Sequence, residues 1–193
     1  RGELRSQFTH VIDLAPTILE AAGIAQPTHV NGIEQKPMEG FSILPTFDAA
    51  DGEEVHTTQY FEILGNRAIY HDGWVACCFH GRVPWMRSQA LPFGDGVETW
   101  ELYRIADDFS QSDDLAEVEP DKLAELRELF DAEAHRYGVY PLSDQTTMRA
   151  LPDNRPSHLD GHAHFTLYPD NVRMAELSTV NVKNTSFDLV ARL

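Results

Sequence analysis

Between Val11 and Ala22 the apolar residues Val11, Leu14, Ala15, Ile18, Leu19 and Ala22 recur at the spacing of one helical face. The pattern predicts an amphipathic helix over 11–22, with Asp13 as N-cap, Pro16 in the first turn and Gly23 just past the last. Residues 24–56 lose the period and are punctuated by Pro27, Asn31-Gly32, Pro37, Gly40, Pro45 and Asp51-Gly52. They read as a long ordered loop, a kind that is usually functional or pinned to a larger body. Strand patterns follow at Thr57–Leu64, Arg67–His71, Trp74–His80 and Thr99–Ile105, the first three separated by Gly65-Asn66 and Asp72-Gly73 turns. Pro120 then opens a helix to about Tyr137, whose Leu123, Leu126, Leu129 and Phe130 form a stripe that can cover the antiparallel sheet.

From Pro141 the periodicity disappears until His164, and 141–163 reads as a linker or wrapping segment. His164–Tyr168 and Ser186–Leu193 are strand-like; in the latter Phe187, Leu189, Ala191 and Leu193 share one face. That last stretch has no turn or partner after it, and nothing ahead of the 11–22 helix covers its apolar face. The expectation is a piece of a longer polypeptide, with poor solubility or self-association when isolated.

Composition limits the partners. The chain has 193 residues, 31 acidic and 15 basic, for a formal net charge of −16. Such a surface repels phosphate backbones and anionic headgroups, so neither nucleic acid nor a membrane surface is expected as partner. A hydrophobic fraction of 42% is that of a chain with a core. No run is long enough to span a membrane and residues 1–8 lack a signal-peptide apolar region, so the chain reads as soluble, its compartment (cytoplasmic or periplasmic) undetermined. Cys77 and Cys78 are neighbours, a spacing that rarely meets disulfide geometry.

Candidate chemistry is sparse. His158, His162 and His164 with Asp160 are metal-capable residue types, but without a helical frame or CxxC support they read as polar linker. Asp107-Asp108 and Asp113-Asp114 resemble calcium ligands, yet they lack the glycine and glutamate offsets of an EF-hand and read as loop or capping acids. Cys78 stands four residues before Arg82 but in an apolar strand, where cysteine is usually inert. Glu62 and Arg67 are placed to pair across their hairpin. The residues themselves thus yield an α/β fragment with no assigned catalytic or metal-binding residue.

The motifs FTHVIDLAPTILEAAGI at 8–24, NGIEQKPMEGFSILPTF at 31–47, QYFEILGNRAIYHDGWVA at 59–76 and WELYRIADDFSQSDDLAEVEPDKLAELRELFDAEA at 100–134 follow in that order. In that order the chain resembles the C-terminal portion of bacterial arylsulfatases, in the sulfatase family of the alkaline-phosphatase-like superfamily. The resemblance implies an α/β parent fold, of which this chain supplies an α+β part. Residues 1–140 would be the end of the catalytic domain, with a four-stranded antiparallel sheet packed by a helix. Residues 164–193, HFTLYPDNVRMAELSTVNVKNTSFDLVARL, look like the truncated start of an extra C-terminal β domain.

Such enzymes hydrolyse sulfate esters with a formylglycine nucleophile, made from the cysteine of a C-x-P-S-R type motif, and a calcium ion. The resemblance places both upstream of residue 1, so this chain would bind neither and be inactive alone. Cys78-Phe79-His80-Gly81-Arg82 shares only the cysteine-to-arginine distance with that motif and is rejected as the nucleophile. In the family the stretch equivalent to 45–62 passes near the sulfate pocket, which makes His56, Gln59 and Tyr60 candidates for a substrate rim. The implied partners are a sulfate-ester small molecule or glycan and the remainder of the sulfatase domain. Alternatives are a phosphatase or phosphonate-ester hydrolase of the same superfamily, or a non-catalytic carbohydrate-binding or scaffold module.

Overall fold

The computed structural model describes residues 2–81, 92–94, 98–144, 164–168, 171–172, 174, 180, 182 and 186–191. The chain divides into two units, Arg1–Asp144 and Gln145–Leu193.

In the first unit a 3-10 turn, Val11–Asp13, leads into helix α1, Leu14–Ala21. Pro16 lies in its first turn as expected, and the amides of Gly23 and Ile24 close its end on the carbonyls of Glu20 and Leu19. Asp13 does not cap α1 with its side chain. The carboxylate is committed elsewhere, as described below. The predicted apolar face is exposed: Val11, Leu14 and Ile18 are 70%, 53% and 67% accessible, and Thr17 is the one buried residue of α1.

The 24–56 stretch is not loop throughout. Strands β1 (His29–Val30) and β2 (Ile33–Glu34) form a small hairpin around Asn31-Gly32, and a 3-10 turn spans Leu44–Phe47. The rest of the stretch is fastened by hydrogen bonds rather than by apolar burial. Arg5 donates to the carbonyl of Phe47, Gln7 to that of Gly52, and the Ile43 amide to Thr17 Oγ1.

The meander is present with strand order β3-β4-β5-β6: β3 Thr58–Ile63, β4 Asn66–His71, β5 Trp74–Cys78 and β6 Trp100–Arg104. Its first turn sits one residue earlier than the sequence pattern places it. Ile63 pairs with Asn66, so Leu64 and Gly65 are the central residues, both with positive φ (54° and 85°). A two-residue hairpin of this kind matches the twist of its strands. Asn66 is needed in the strand, because its side chain accepts the His80 amide and donates to the Ile63 carbonyl.

Register explains the core. Tyr60 faces Ile69, Ile69 faces Ala76 and Ala76 faces Leu102, one row across the sheet. Helix α2, Pro120–Arg136, sets Leu126, Phe130 and Ala134 against that row, and these three with Ile69, Ala76 and Leu102 are fully buried. The spacing i, i+4, i+8 keeps them on one side of the helix, and each large side chain so buried contributes about 1.5–3 kcal/mol. Leu123 and Leu129 flank the cluster. The first unit is therefore a mixed α+β structure, an antiparallel sheet covered by a helix.

In the second unit the described residues 164–168 and 186–191 are irregular rather than strands. Alternation supplies two faces, but a strand also requires a ladder of hydrogen bonds to a neighbour, which alternation does not specify. Most of the 141–163 segment lies outside the described residues, as do His158, Asp160 and His162.

Candidate functional site

Asp13 is completely buried, and its carboxylate gathers three segments that are remote in sequence. It accepts the His10 amide at 2.7 Å, the Phe41 amide at 2.9 Å and the His56 ring at 2.8 Å from both oxygens. Facing an ionised carboxylate, His56 Nδ1 carries the hydrogen. Burial pushes the Asp13 carboxyl up, but the two amides and the His56 ring more than offset it and hold it below its usual value. His56 is only 1% exposed and has Phe8 and Phe41 at its ring edges. It is a buried residue held by Asp13, and its ring forms part of the wall beside the groove. Gly40 makes this possible, since a Cβ there would lie 2.2 Å from the Ile12 carbonyl oxygen.

Beside this wall lies a groove of about 910 Å³ that follows edge strand β3. Gln59 and Tyr60 line it together with His56, so the structure brings all three rim candidates to one concavity. The opposite side comes from residues that the sequence had not marked as site candidates, although Leu129 had been read as part of the helix stripe. Leu129, Glu133, Arg136 and Tyr137, at i, i+4, i+7 and i+8, project from the end of α2. That spacing was visible in the sequence, one face over from the core stripe. Tyr60 and Tyr137 stack with ring centroids 5.3 Å apart, and the Tyr137 hydroxyl donates to Glu39 at 2.9 Å.

Behind β4 and β5 is a buried charged network. Arg67 reaches Glu98 at 2.9 Å and the Cys78 sulfur at 3.3 Å, while His80 Nδ1 meets the other Glu98 oxygen at 2.6 Å. Asp144 approaches His80 Nε2 at 3.8 Å, and Phe93 stacks flat on the imidazole at 3.9 Å. Burial raises the Glu98 carboxyl, but the Gly94 amide, Arg67 and His80 outweigh it and draw it below its usual value. The expected Glu62–Arg67 pair does not form, although the two residues face each other across the hairpin. A guanidinium only 8% exposed gains more from a carboxylate that is itself 5% exposed, and Glu62 instead accepts the Gly65 amide.

The cysteines behave as packing residues. Burial, then the Glu101 carboxylate, pushes the Cys77 thiol to about 12. Burial also raises Cys78, against the pull of Arg67, and Cys78 is 2% exposed. A nucleophilic thiol needs the reverse. Arg82 lies outside the described residues. The acids at 107–114 cap their own loop: Asp108 accepts the Ser112 and Asp113 amides, and Asp114 those of Leu102 and Ala116. Among the described residues, no three His, Cys, Asp or Glu side chains are grouped as a metal would need, and no helix is long and apolar enough to cross a membrane.

Comparison with known proteins supplies the context for this mixed sheet-and-helix unit and its groove. The uncharacterized sulfatase PB10D8.02c of Schizosaccharomyces pombe is 32% identical over 132 residues, covering 66% of this chain and 21% of that protein. The chain is thus similar to a sulfatase over those 132 residues, and it spans about a fifth of the relative it matches. No family model matches it. Among solved structures, the crystal structure of Ps i-CgsB aligns with 74% of this chain and 28% of its own at 19% identity and a TM-score of 0.47. BT4656, solved in complex with its substrate D-glucosamine-2-N,6-O-disulfate, aligns with 69% and 25% at 17% identity and a TM-score of 0.44.

Proposed function

We propose that this chain is part of a sulfatase of arylsulfatase type, which hydrolyses a sulfate ester of a small molecule or glycan. The identity to a sulfatase over 132 residues carries this reading. Formylglycine would supply the nucleophile and calcium would polarise the sulfate. Cys78 is buried with a raised thiol, and the described residues hold no metal-sized cluster. In this reading both groups therefore belong to residues outside those described. The chain's own contribution is a wall: Asp13 fixes His56 and the 39–41 segment, and the groove along β3 borders the place where substrate lies.

The test is a pair of assays. A longer polypeptide that contains this chain is expected to release nitrophenol from 4-nitrophenyl sulfate faster than from the phosphate. The 193-residue chain alone is expected to do neither and to bind no calcium at micromolar concentration. Preference of the longer polypeptide for the phosphate would overturn the reading in favour of a phosphatase. Hydrolysis of the sulfate by the 193-residue chain alone would show that the nucleophile lies within it.

A further inference from the structure

Residues 35–40 lead from the β1–β2 hairpin to the segment held by Asp13, and none of them lies in a helix or strand. Both ends of this stretch are anchored. The Gln35 amide donates to the Thr28 carbonyl at 2.8 Å, and the Phe41 amide to the Asp13 carboxylate at 2.9 Å. Gly40 packs so closely on the Ile12 carbonyl that a side chain there would collide with it. Between the anchors, Lys36, Pro37, Met38 and Glu39 are all exposed. Among the described residues these four have one hydrogen bond, in which Glu39 accepts the Tyr137 hydroxyl at 2.9 Å.

The donor of that bond is far better held than its acceptor. Tyr137 ends α2, its ring stacks on Tyr60 at 5.3 Å, and the Arg136 guanidinium, itself 65% exposed, lies over the ring at 5.1 Å. Burial, and then the bond to Glu39, raises the Tyr137 phenol, which keeps the hydroxyl a donor. A bond between an exposed stretch with few contacts and a helix docked on the core opens on the side of the stretch, because local opening costs least where contacts are fewest. Glu39 and Tyr137 both line the groove along β3. The bond therefore fixes how far apart two of the groove's sides stand.

From this we infer that residues 36–39 form a strap across one side of the groove, latched by Tyr137 to Glu39, whose release widens the entrance for bulky molecules. Gln35 and Gly40 are its pivots. The inference goes beyond the sulfatase reading and does not depend on it.

Thiol accessibility in the 193-residue chain tests it. Glu133→Cys, one helical turn before Tyr137 and in the groove lining, supplies the reporter in a Cys77→Ser background, while Cys78 is only 2% exposed. Tyr137→Phe removes the donor and keeps the ring stack, and Glu39→Ala removes the acceptor. With either change the reporter is expected to react about fivefold faster with fluorescein maleimide, since losing one hydrogen bond raises the open population. Its reaction with the small reagent methyl methanethiosulfonate should keep its rate. The two changes together should be no faster than either alone, because both break the same bond. The inference is overturned if neither change accelerates the maleimide reaction, if the small reagent gains equally, or if the two effects add.

Discussion

Asp13 illustrates how much one side chain can organise. Its local context, ahead of a helix with Pro16 in the first turn, is that of an N-cap, yet the carboxylate turns away to bind His10, Phe41 and His56. Asp13→Asn is expected to destabilise the chain by about 3–5 kcal/mol, because it leaves buried groups uncompensated. Urea denaturation at pH 7 measures this. The pH dependence has a definite sign. Since the folded-state value of Asp13 lies below 3.8, its contribution is complete above 3.8 and is lost as pH falls below that through the folded value. The thermal midpoint should therefore fall on acidification below 3.8, with a shallower slope in Asp13→Asn. Gly65 offers a second residue-scale test. Its φ is 85°, and an added Cβ would lie 2.6 Å from the Phe93 ring and 2.8 Å from that of His80. Gly65→Ala should cost about 1–3 kcal/mol, by backbone strain and displacement of the ring stack, while Gly73→Ala, with nothing near its Cβ, tests the strain alone.

Among the elements, α2 and the sheet depend on each other. Helix α2 is amphipathic only in combination with the row Tyr60, Ile69, Ala76 and Leu102, which it covers through Leu126, Phe130 and Ala134. Phe130→Ala should destabilise the unit by about 3–5 kcal/mol, whereas Glu128→Ala, on the exposed side of the same helix, should change it by less than about 0.5 kcal/mol. Equal effects in a chemical denaturation series would show that α2 is not docked as described. The strand boundaries were readable because glycine-containing turns and alternation agree, and the one-residue difference at Leu64-Gly65 arose because Asn66 gains two hydrogen bonds by joining β4. The hairpin at 29–34 escaped notice because two strands of two residues each leave no measurable alternation.

For the molecule as a whole, the decisive feature is the face of α1 that nothing covers among the described residues. Val11, Leu14 and Ile18 are exposed apolar residues on one side of a helix that is held to its own unit through Thr17. Such a face promotes association in water. Sedimentation velocity of the 193-residue chain should show species larger than a monomer, and Leu14→Glu with Ile18→Glu should shift it towards monomer. A compact monomer in the parent chain would overturn this expectation.

Local pattern determined the helices, the meander, the stripe that covers it and, through the order of four motifs, the sulfatase likeness. Each of these depends on residues near one another in sequence, where hydrophobic period and turn chemistry act directly. The tertiary structure decided the rest: that Asp13 serves His56 across 43 positions, that Arg67 chooses Glu98 over its neighbour Glu62, and that the end of α2 closes a groove along β3. Those choices follow from burial, since a charge removed from water takes the partner that is also removed from water, and sequence separation does not record which partner that is.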